Sequence, residues 1–499
     1  MKRYDRRRFL EDSMLATAAA VTAGTAPLLA DDAPSTSPGE KLAVASIGVR
    51  GRGASHLRFF AGRPDTEVVA ICDVDSQVGA QRAAQIAERQ GRAPKVVRDM
   101  RKLFDDQSID IITVATPNHW HALAAVWALQ AGKDVYLEKP VSHNVREGRS
   151  IVQAARKYRR ICQTGTQSRS NPGMQQAIEY VRSGKIGDIA VARGLCYKPR
   201  GPIGKRGNYP IPPQVDYDLW LGPAPKAPLT RPRLHYDWHW QWPYGNGDLG
   251  NQGIHQMDIA RWGLGADGLS HGTLSYGGRL GYEDAGDTAN TQVVIHDYGN
   301  QTLVFEVRGL KTGPLTRSGS GVVFAEKKYH PKIGVIFEGS DGYVAIATYH
   351  SGAAFDLQGR LVKEFGGHGS DANHFMNFLK AVRSRKPEDL NADIEQGHIS
   401  SALCHLGNIS YRLGNQAKAK EVLRAVASFP SKDHNADTLE RTLEHLKANG
   451  LDLDQLTLSS GAPIRFDPNK ETIVDNEAAR AMLTRNYRKP FVVPAPDAV

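Results

Sequence analysis

From Lys41 to about Thr164, short apolar runs alternate with stretches of helical periodicity. LAVASIGV (42–49), TEVVAICD (66–73), DIITVATP (110–117), DVYLEKP (134–140) and RICQTGT (160–166) read as strands. Between them the spacing predicts helices such as Asp75–Gln90 and His119–Gln130, the second stopped by Gly132. This alternation is the pattern of a parallel, doubly wound sheet, whose ligands lie at the carboxyl ends of its strands. After residue 190 the period shortens to two: IAVARGLCYK, NTQVVIHDYG, QTLVFEVRGL, IGVIFEGSDG and GYVAIATYHSG alternate, with hairpin ends near Gly299 and Asp341. That predicts an open, mainly antiparallel sheet with helices on one face and a partner subunit on the other, hence a homo-oligomer. Residues 369–427 turn helical again. The tail, 431–499, shows one helix (Asp437–Ala448) and a Pro-punctuated extension expected to wrap the surface.

The first forty residues carry a different signal. RRRFLEDSMLATAAAVTAG (6–24) sets Arg6, Arg7 and Arg8 before an Ala-rich apolar run, the pattern of a twin-arginine export signal. The run is too short and weak to span a membrane permanently. Leu28 and Ala30 form a small-residue cleavage site, followed by the solvated linker DDAPSTSP. The expected divisions are a signal and linker (1–34), an α/β Rossmann domain (41–164), a second α/β domain (165–430) and a C-terminal extension (431–499). A periplasmic or cell-envelope location follows.

Composition is ordinary for a folded chain of 499 residues, 40% hydrophobic and 23% charged. The net charge of +10 falls to +8 once residues 1–30, with five Lys or Arg and three acids, are set aside. No basic cluster interleaves with aromatics, so nucleic-acid binding is not indicated. Cys72, Cys162, Cys196 and Cys404 are far apart and lack metal spacing, which predicts buried free thiols.

Candidate chemistry gathers at the strand ends. IGVRGRGASH places Gly48, Gly51 and Gly53 where a dinucleotide turn needs them, with Arg50 where a glycine is usual. Asp73 either accepts from both ribose hydroxyls, favouring NAD over NADP, or caps the next helix. Thr116, Pro117, Asn118, His119 and His121 lie at the fourth strand's exit, and Glu138, Lys139 and Pro140 at the fifth. Pro140 keeps Lys139 out of helical backbone angles. Beside an oxidised nicotinamide, charge and partial burial would lower the pKa of its amine, suiting it to acid/base work on a sugar hydroxyl.

These glycines, the CDVD acid, ATPNHWH and EKP, in this order, resemble the Gfo/Idh/MocA oxidoreductase family over roughly residues 41–430. The resemblance implies a Rossmann domain, an open-sheet second domain, and NAD(P)-dependent oxidation or reduction of sugars and cyclitols. It also implies an Asp and a His four residues apart on a helix. In GDLGNQGIHQMDIARW these positions hold Asn251 and His255, with Asp258 predicted on the same face. Lys139 and His255 are the proton-handling candidates, and Asn251 orients a hydroxyl. Trp238, Trp240 and Trp242 alternate in HYDWHWQWPYG, so an extended segment would show three indoles on one side, as a sugar platform or as core. His368, Asp371 and His374 in GHGSDANHF have metal-like residue types but no convincing third ligand, so no metal site is expected.

Outside the inner membrane free NAD is scarce, so an exported enzyme would be folded around a tightly bound cofactor. Three readings follow: a sugar, cyclitol or glycoside oxidoreductase; an NAD-dependent, redox-neutral glycoside-cleaving enzyme; and a non-catalytic carbohydrate-binding relative. Arg50 and Asn251 favour the third, and Lys139, His255 and Asp73 oppose it.

Overall fold

The computed structural model describes residues 41–316, 327–367 and 369–499. Residues 1–40, on which the export signal is expected, and His368 lie outside them. Six strands, β1 (Leu42–Ile47), β2 (Thr66–Cys72), β3 (Lys95–Val97), β4 (Ile111–Val114), β5 (Asp134–Leu137) and β6 (Cys162–Thr164), form one sheet in the order β3-β2-β1-β4-β5-β6. Every residue of β1, β4, β5 and β6 is buried, as expected of a parallel sheet covered on both faces. By compactness the chain divides within β4 into a unit ending at Thr113 and a unit starting at Val114.

In the first unit β1 leads into α1 (Gly53–Phe60) and β2 into α2 (Ser76–Gln90). Helix α2 starts where Asp75 accepts from the amides of Gln77 and Val78, and ends at Gly91 with φ +76°.

The second unit carries α3 (Asn118–Gln130), buried on nearly all sides, α4 (Val145–Lys157) and α5 (Pro172–Arg182). A twelve-stranded sheet follows. Its path runs β14 (Leu361–Phe365), β13 (Gly352–Asp356), β12 (Gly342–Ile346), β11 (Ile333–Gly339), β7 (Ile189–Tyr197), β10 (Thr302–Arg308), β9 (Thr291–Asp297), β8 (Gly272–Gly278), β16 (Leu458–Ser460) and β15 (Asn415–Ala417). The β7–β10 pair is parallel, whereas β7–β11, β9–β10 and β8–β9 are antiparallel. The expected hairpins close at Gly299 and Asp341. One face packs on α6 (Ile254–Leu264) and α8 (Ile394–Arg412), through Ile259, Leu403 and Phe305 among others. Helix α7 (Asp371–Ser384) precedes α8. All four cysteines are buried free thiols.

The other face differs from expectation. Its cover comes from the chain itself: Val422 and Val426 of α9 (Ala419–Ser428) and Leu439 and Leu446 of α10 (Asn435–Ala448) pack on Leu274, Tyr276, Val293, Ile295 and Val304. Buried charge fixes the contact. Glu306 accepts from Arg193 at 2.8 Å, from Arg441 at 3.0 and 3.1 Å, and from the Tyr197 hydroxyl at 2.6 Å. Arg193 also pairs with Asp433. The tail then returns as β16, β17 (Ile464–Asp467) and β18 (Thr472–Val474), with β16 and β17 pairing along β8. The sequence pattern missed these strands because they are three or four residues long, and missed β8 because GTLSYGG has too few large side chains to alternate.

The arginines hold the Glu306 carboxyl well below the usual carboxylate range despite its burial. Its stabilising contribution is therefore present above the unfolded pKa and persists far into acid. Glu306→Ala leaves two buried guanidinium groups short of their partner and should cost about 3–5 kcal/mol in urea unfolding at pH 7. A loss below about 1 kcal/mol would mean that α10 is held by apolar contact alone.

Candidate active site

In the first unit, Gly48 leaves β1 with φ +77°, a conformation only glycine adopts without strain. A Cβ at Gly51 would meet no protein atom within 4 Å, so the turn keeps open space at that residue. The Asp73 carboxylate accepts from the Val49 amide at 2.9 Å and the Asp75 amide at 3.0 Å. Asp75, not Asp73, caps α2, which removes the capping alternative. Arg82, passed over in the sequence pattern, donates to the carbonyls of Val49 (3.1 Å) and Arg50 (2.9 Å) and holds the turn from behind. The Arg50 side chain is exposed. These features fit a dinucleotide: bare backbone at a helix N-terminus with a carboxylate at the end of β2.

In the second unit the end of β5 carries Glu138 and Lys139, followed by a cis Lys139–Pro140 bond. Glu138 is buried, and its carboxyl lies so close to Gly165 that a Cβ there would come within 2.9 Å. The Lys139 ammonium donates to the Asn251 carbonyl at 2.8 Å. Asn251 lies in a wide, π-type turn, Leu249–Gly253, that leads into α6. Asn251 therefore does not stand in the regular helix that the spacing predicted, whereas His255 and Asp258 both do. Asp258 is buried against Arg169, at 2.8 and 2.9 Å, and takes the Ser400 hydroxyl at 2.7 Å. It is part of the core and not a substrate contact.

His255 stands edge-on to Tyr349, ring centroids 5.9 Å apart. Both line a cavity of about 170 Å³ with Gln167, Ser168, Asn171, His350, Ser370 and Asp371. Among the described residues, Gln167 Oε1 and Ser168 Oγ have no hydrogen-bond partner, a deficit that a hydroxylated ligand would satisfy. Gln252 reaches the Tyr349 hydroxyl and ties the wide turn to this cavity.

At the exit of β4, Pro117 precedes the first turn of α3, and the buried Thr116 Oγ1 has no hydrogen-bond partner among the described residues. Asn118 donates to Asn246 at 2.9 Å. His121, expected to reach the cofactor, is buried with its ring nitrogens 2.6 Å from the Pro140 carbonyl and 2.8 Å from that of Thr116. It braces the Lys139 loop on α3. His119 is likewise internal, and burial pushes its pKa down to about 3.

The predicted tryptophan platform does not form. Asp237–Trp240 is a 3₁₀ turn, which sends successive indoles in different directions. Trp240 is buried beside Ile203 and Ala285, and Trp242 packs under Arg412. Trp238 stacks on His239 with centroids 3.6 Å apart. His239 was missed in the sequence: burial pushes its pKa down to about 3, and the positive charge of Lys139 contributes. It is therefore a neutral imidazole within electrostatic reach of the amine. Only its place between two tryptophans could have flagged it. His374 is buried, bonded to Ser170 and the Thr164 carbonyl, and among the described residues no group of three or more His, Cys, Asp or Glu is arranged to hold a metal ion.

Comparison with known proteins matches two segments of the chain. Residues 42–166 match the oxidoreductase family model for an NAD-binding Rossmann fold, and residues 202–304 match the same family's C-terminal alpha/beta domain. Both segments belong to the Gfo/Idh/MocA oxidoreductase family. Among its relatives, a levoglucosan dehydrogenase of Pseudarthrobacter phenanthrenivorans is 27% identical over 241 residues, covering 47% of this chain and 54% of that protein. An alpha-N-acetylgalactosaminidase of Shewanella oneidensis is 29% identical over 208 residues, 38% of this chain and 45% of that protein. The chain thus spans about half the length of these curated relatives. The solved structure of a levoglucosan dehydrogenase with NADH and levoglucosan shares the fold, with a TM-score of 0.54 and 18% identity over 73% of this chain and 96% of that one.

Within the first of these Gfo/Idh/MocA segments the loop after Lys139 holds one titratable group of unusual strength. Glu147 accepts from the His143 amide at 2.7 Å and from Asn144 at 2.9 Å, yet burial pushes its pKa up to about 7. Between pH 4.5 and 7 the folded carboxyl keeps a proton that the unfolded one has lost, so stability falls as pH rises through that window. Urea unfolding of Glu147→Gln should lack that slope, gaining on the native chain by about 3 kcal/mol at most between pH 4.5 and 8. A pH-independent difference would show that Glu147 is ionised throughout.

Proposed function

We propose that this protein is an NAD-dependent oxidoreductase that moves hydride between the nicotinamide and a ring carbon of a sugar, cyclitol or glycoside. The observation that carries the reading is the Lys139 ammonium, held 2.8 Å from a main-chain carbonyl at the turn that leads to the His255 cavity. Nucleotide binding is assigned to the glycine turn and Asp73, and NAD is favoured over NADP because a carboxylate repels a 2′-phosphate. When bound, the dinucleotide supplies the hydride acceptor. Lys139 takes or returns the hydroxyl proton. His255 orients or polarises the reacting oxygen, with Gln167 and Ser168 binding neighbouring hydroxyls, and His239 remains uncharged so that it does not oppose the protonated amine.

The family's usual aspartate is Asn251 here. Its contact with Lys139 is made by the main-chain oxygen, which either side chain would leave in place. That supports catalysis over a vestigial, non-catalytic site. The glycosidase among the relatives favours a second reading on the same residues: transient oxidation, elimination of the aglycone from a neighbouring C–O bond, addition of water across the resulting double bond, and return of the hydride with no net NADH.

The Arg6–Arg8 motif and the apolar run behind it support export of the folded chain by the twin-arginine route to the periplasm or cell envelope, and export of a folded chain would require its nucleotide to be bound tightly. Purified protein should release NAD(H) on denaturation. It should also reduce that nucleotide when offered 1,6-anhydro sugars, inositols or free hexoses, seen as absorbance at the NADH wavelength. Sugar release from a glycoside without absorbance change would select the second reading. Neither signal, with nucleotide bound, would reject both.

A further inference from the structure

The C-terminal segment that follows the short helix Glu477–Ala481 returns to the loop that carries the catalytic lysine. Arg485 Nη1 lies 3.2 Å from His143 Nδ1 and donates to the Pro243 carbonyl at 3.0 Å. A guanidinium has only donors, so His143 Nδ1 must accept, and the proton of the neutral ring sits on Nε2. That Nε2 then donates to the Trp242 carbonyl at 2.8 Å. One arginine therefore closes a ring of hydrogen bonds between the loop holding Lys139 and the segment holding Trp238 and His239.

A second bond set lies beside it. The Tyr487 hydroxyl donates to Glu147 at 3.1 Å and accepts from Asn144 at 3.2 Å, the residue that caps α4. The segment is anchored at both sides: the Arg146 amide donates to the Leu483 carbonyl at 2.9 Å, Arg488 donates to the Gly222 carbonyl at 2.9 Å, and Phe491 packs edge-on to Trp120. Lys139 is four residues before His143, and His239 is three before Trp242. Neither Arg485 nor Tyr487 is among the residues that line the His255 cavity, and both lie beyond the residues that match the family models.

We propose that Arg485 is a positioning residue: through the neutral ring of His143 it locks the Lys139 loop to the His239 turn and so sets where the amine meets the substrate. The inference rests on the reading of Lys139 as the acid/base. A loosely held loop would still bind nucleotide and sugar but would spend little time in the reactive geometry, which lowers kcat more than it raises KM. Both bonds leave from the one Nη1 nitrogen, so lysine at 485, which keeps a charge and a multiply donating nitrogen on a stem of different length and geometry, restores the bridge in part.

The test uses the full chain with bound nucleotide and the variants Arg485→Met, Arg485→Lys and Tyr487→Phe. On the sugar that the native protein oxidises, Arg485→Met should lower kcat about 10- to 100-fold with KM little changed, and Arg485→Lys should recover part of it. Hydrogen exchange should rise in peptides covering 139–147 and 236–245 and stay unchanged in α8. Native kcat and native exchange in Arg485→Met would overturn the proposal. So would a loss of kcat that Lys does not relieve and that follows faster exchange across the whole unit. Should Arg485→Met not fold, Tyr487→Phe carries the test: faster exchange in 139–147 supports the strap and unchanged exchange overturns it. If the native protein turns over no sugar or glycoside, the functional reading has failed, and the exchange measurement still decides the strap by the same outcomes.

Discussion

The site is organised around one hydrogen bond, from the Lys139 ammonium to the main-chain oxygen of Asn251. In a regular helix that carbonyl would be engaged by the amide four residues on. Here the carbonyl lies in the wide turn Leu249–Gly253 and accepts from a cation. A backbone acceptor needs no rotamer to be held and does not titrate. The amine is thus oriented by the fold, whichever side chain stands at residue 251.

Around that bond the structure uses its carboxyl-terminal third twice. Helices α9 and α10 bury the apolar outer face of the large sheet and secure it with the Glu306–Arg193–Arg441 network. Farther on, the segment through Arg485 and Tyr487 braces the loop that follows Lys139. Both uses have one cause: a sheet with apolar residues on two faces must be covered, and a tail long enough to cover it also reaches the strand ends.

Much of this was legible in residue order. The parallel sheet, the glycine turn, Asp73 and the EKP loop follow from local pattern, because strand ends and proline constrain the backbone close to where they stand. The rest depended on packing over long separations. The sequence spacing put Asp258 beside His255, and only the fold brings Arg169 and Ser400 to claim its carboxylate. Alternation suggested three coplanar indoles, whereas a 3₁₀ turn separates them. His239 and Arg485 carry no motif, and their significance comes from what lies next to them in space. Short strands such as β16 and β18 fall below the length at which period-two alternation can register.

The most direct measurement is single-turnover hydride transfer in Lys139→Ala, with nucleotide affinity determined on the same preparation. If the Asn251-anchored amine moves the hydroxyl proton, transfer slows by about 10²- to 10⁴-fold while nucleotide still binds as in the native chain. Transfer at the native rate, with nucleotide bound, would contradict the account.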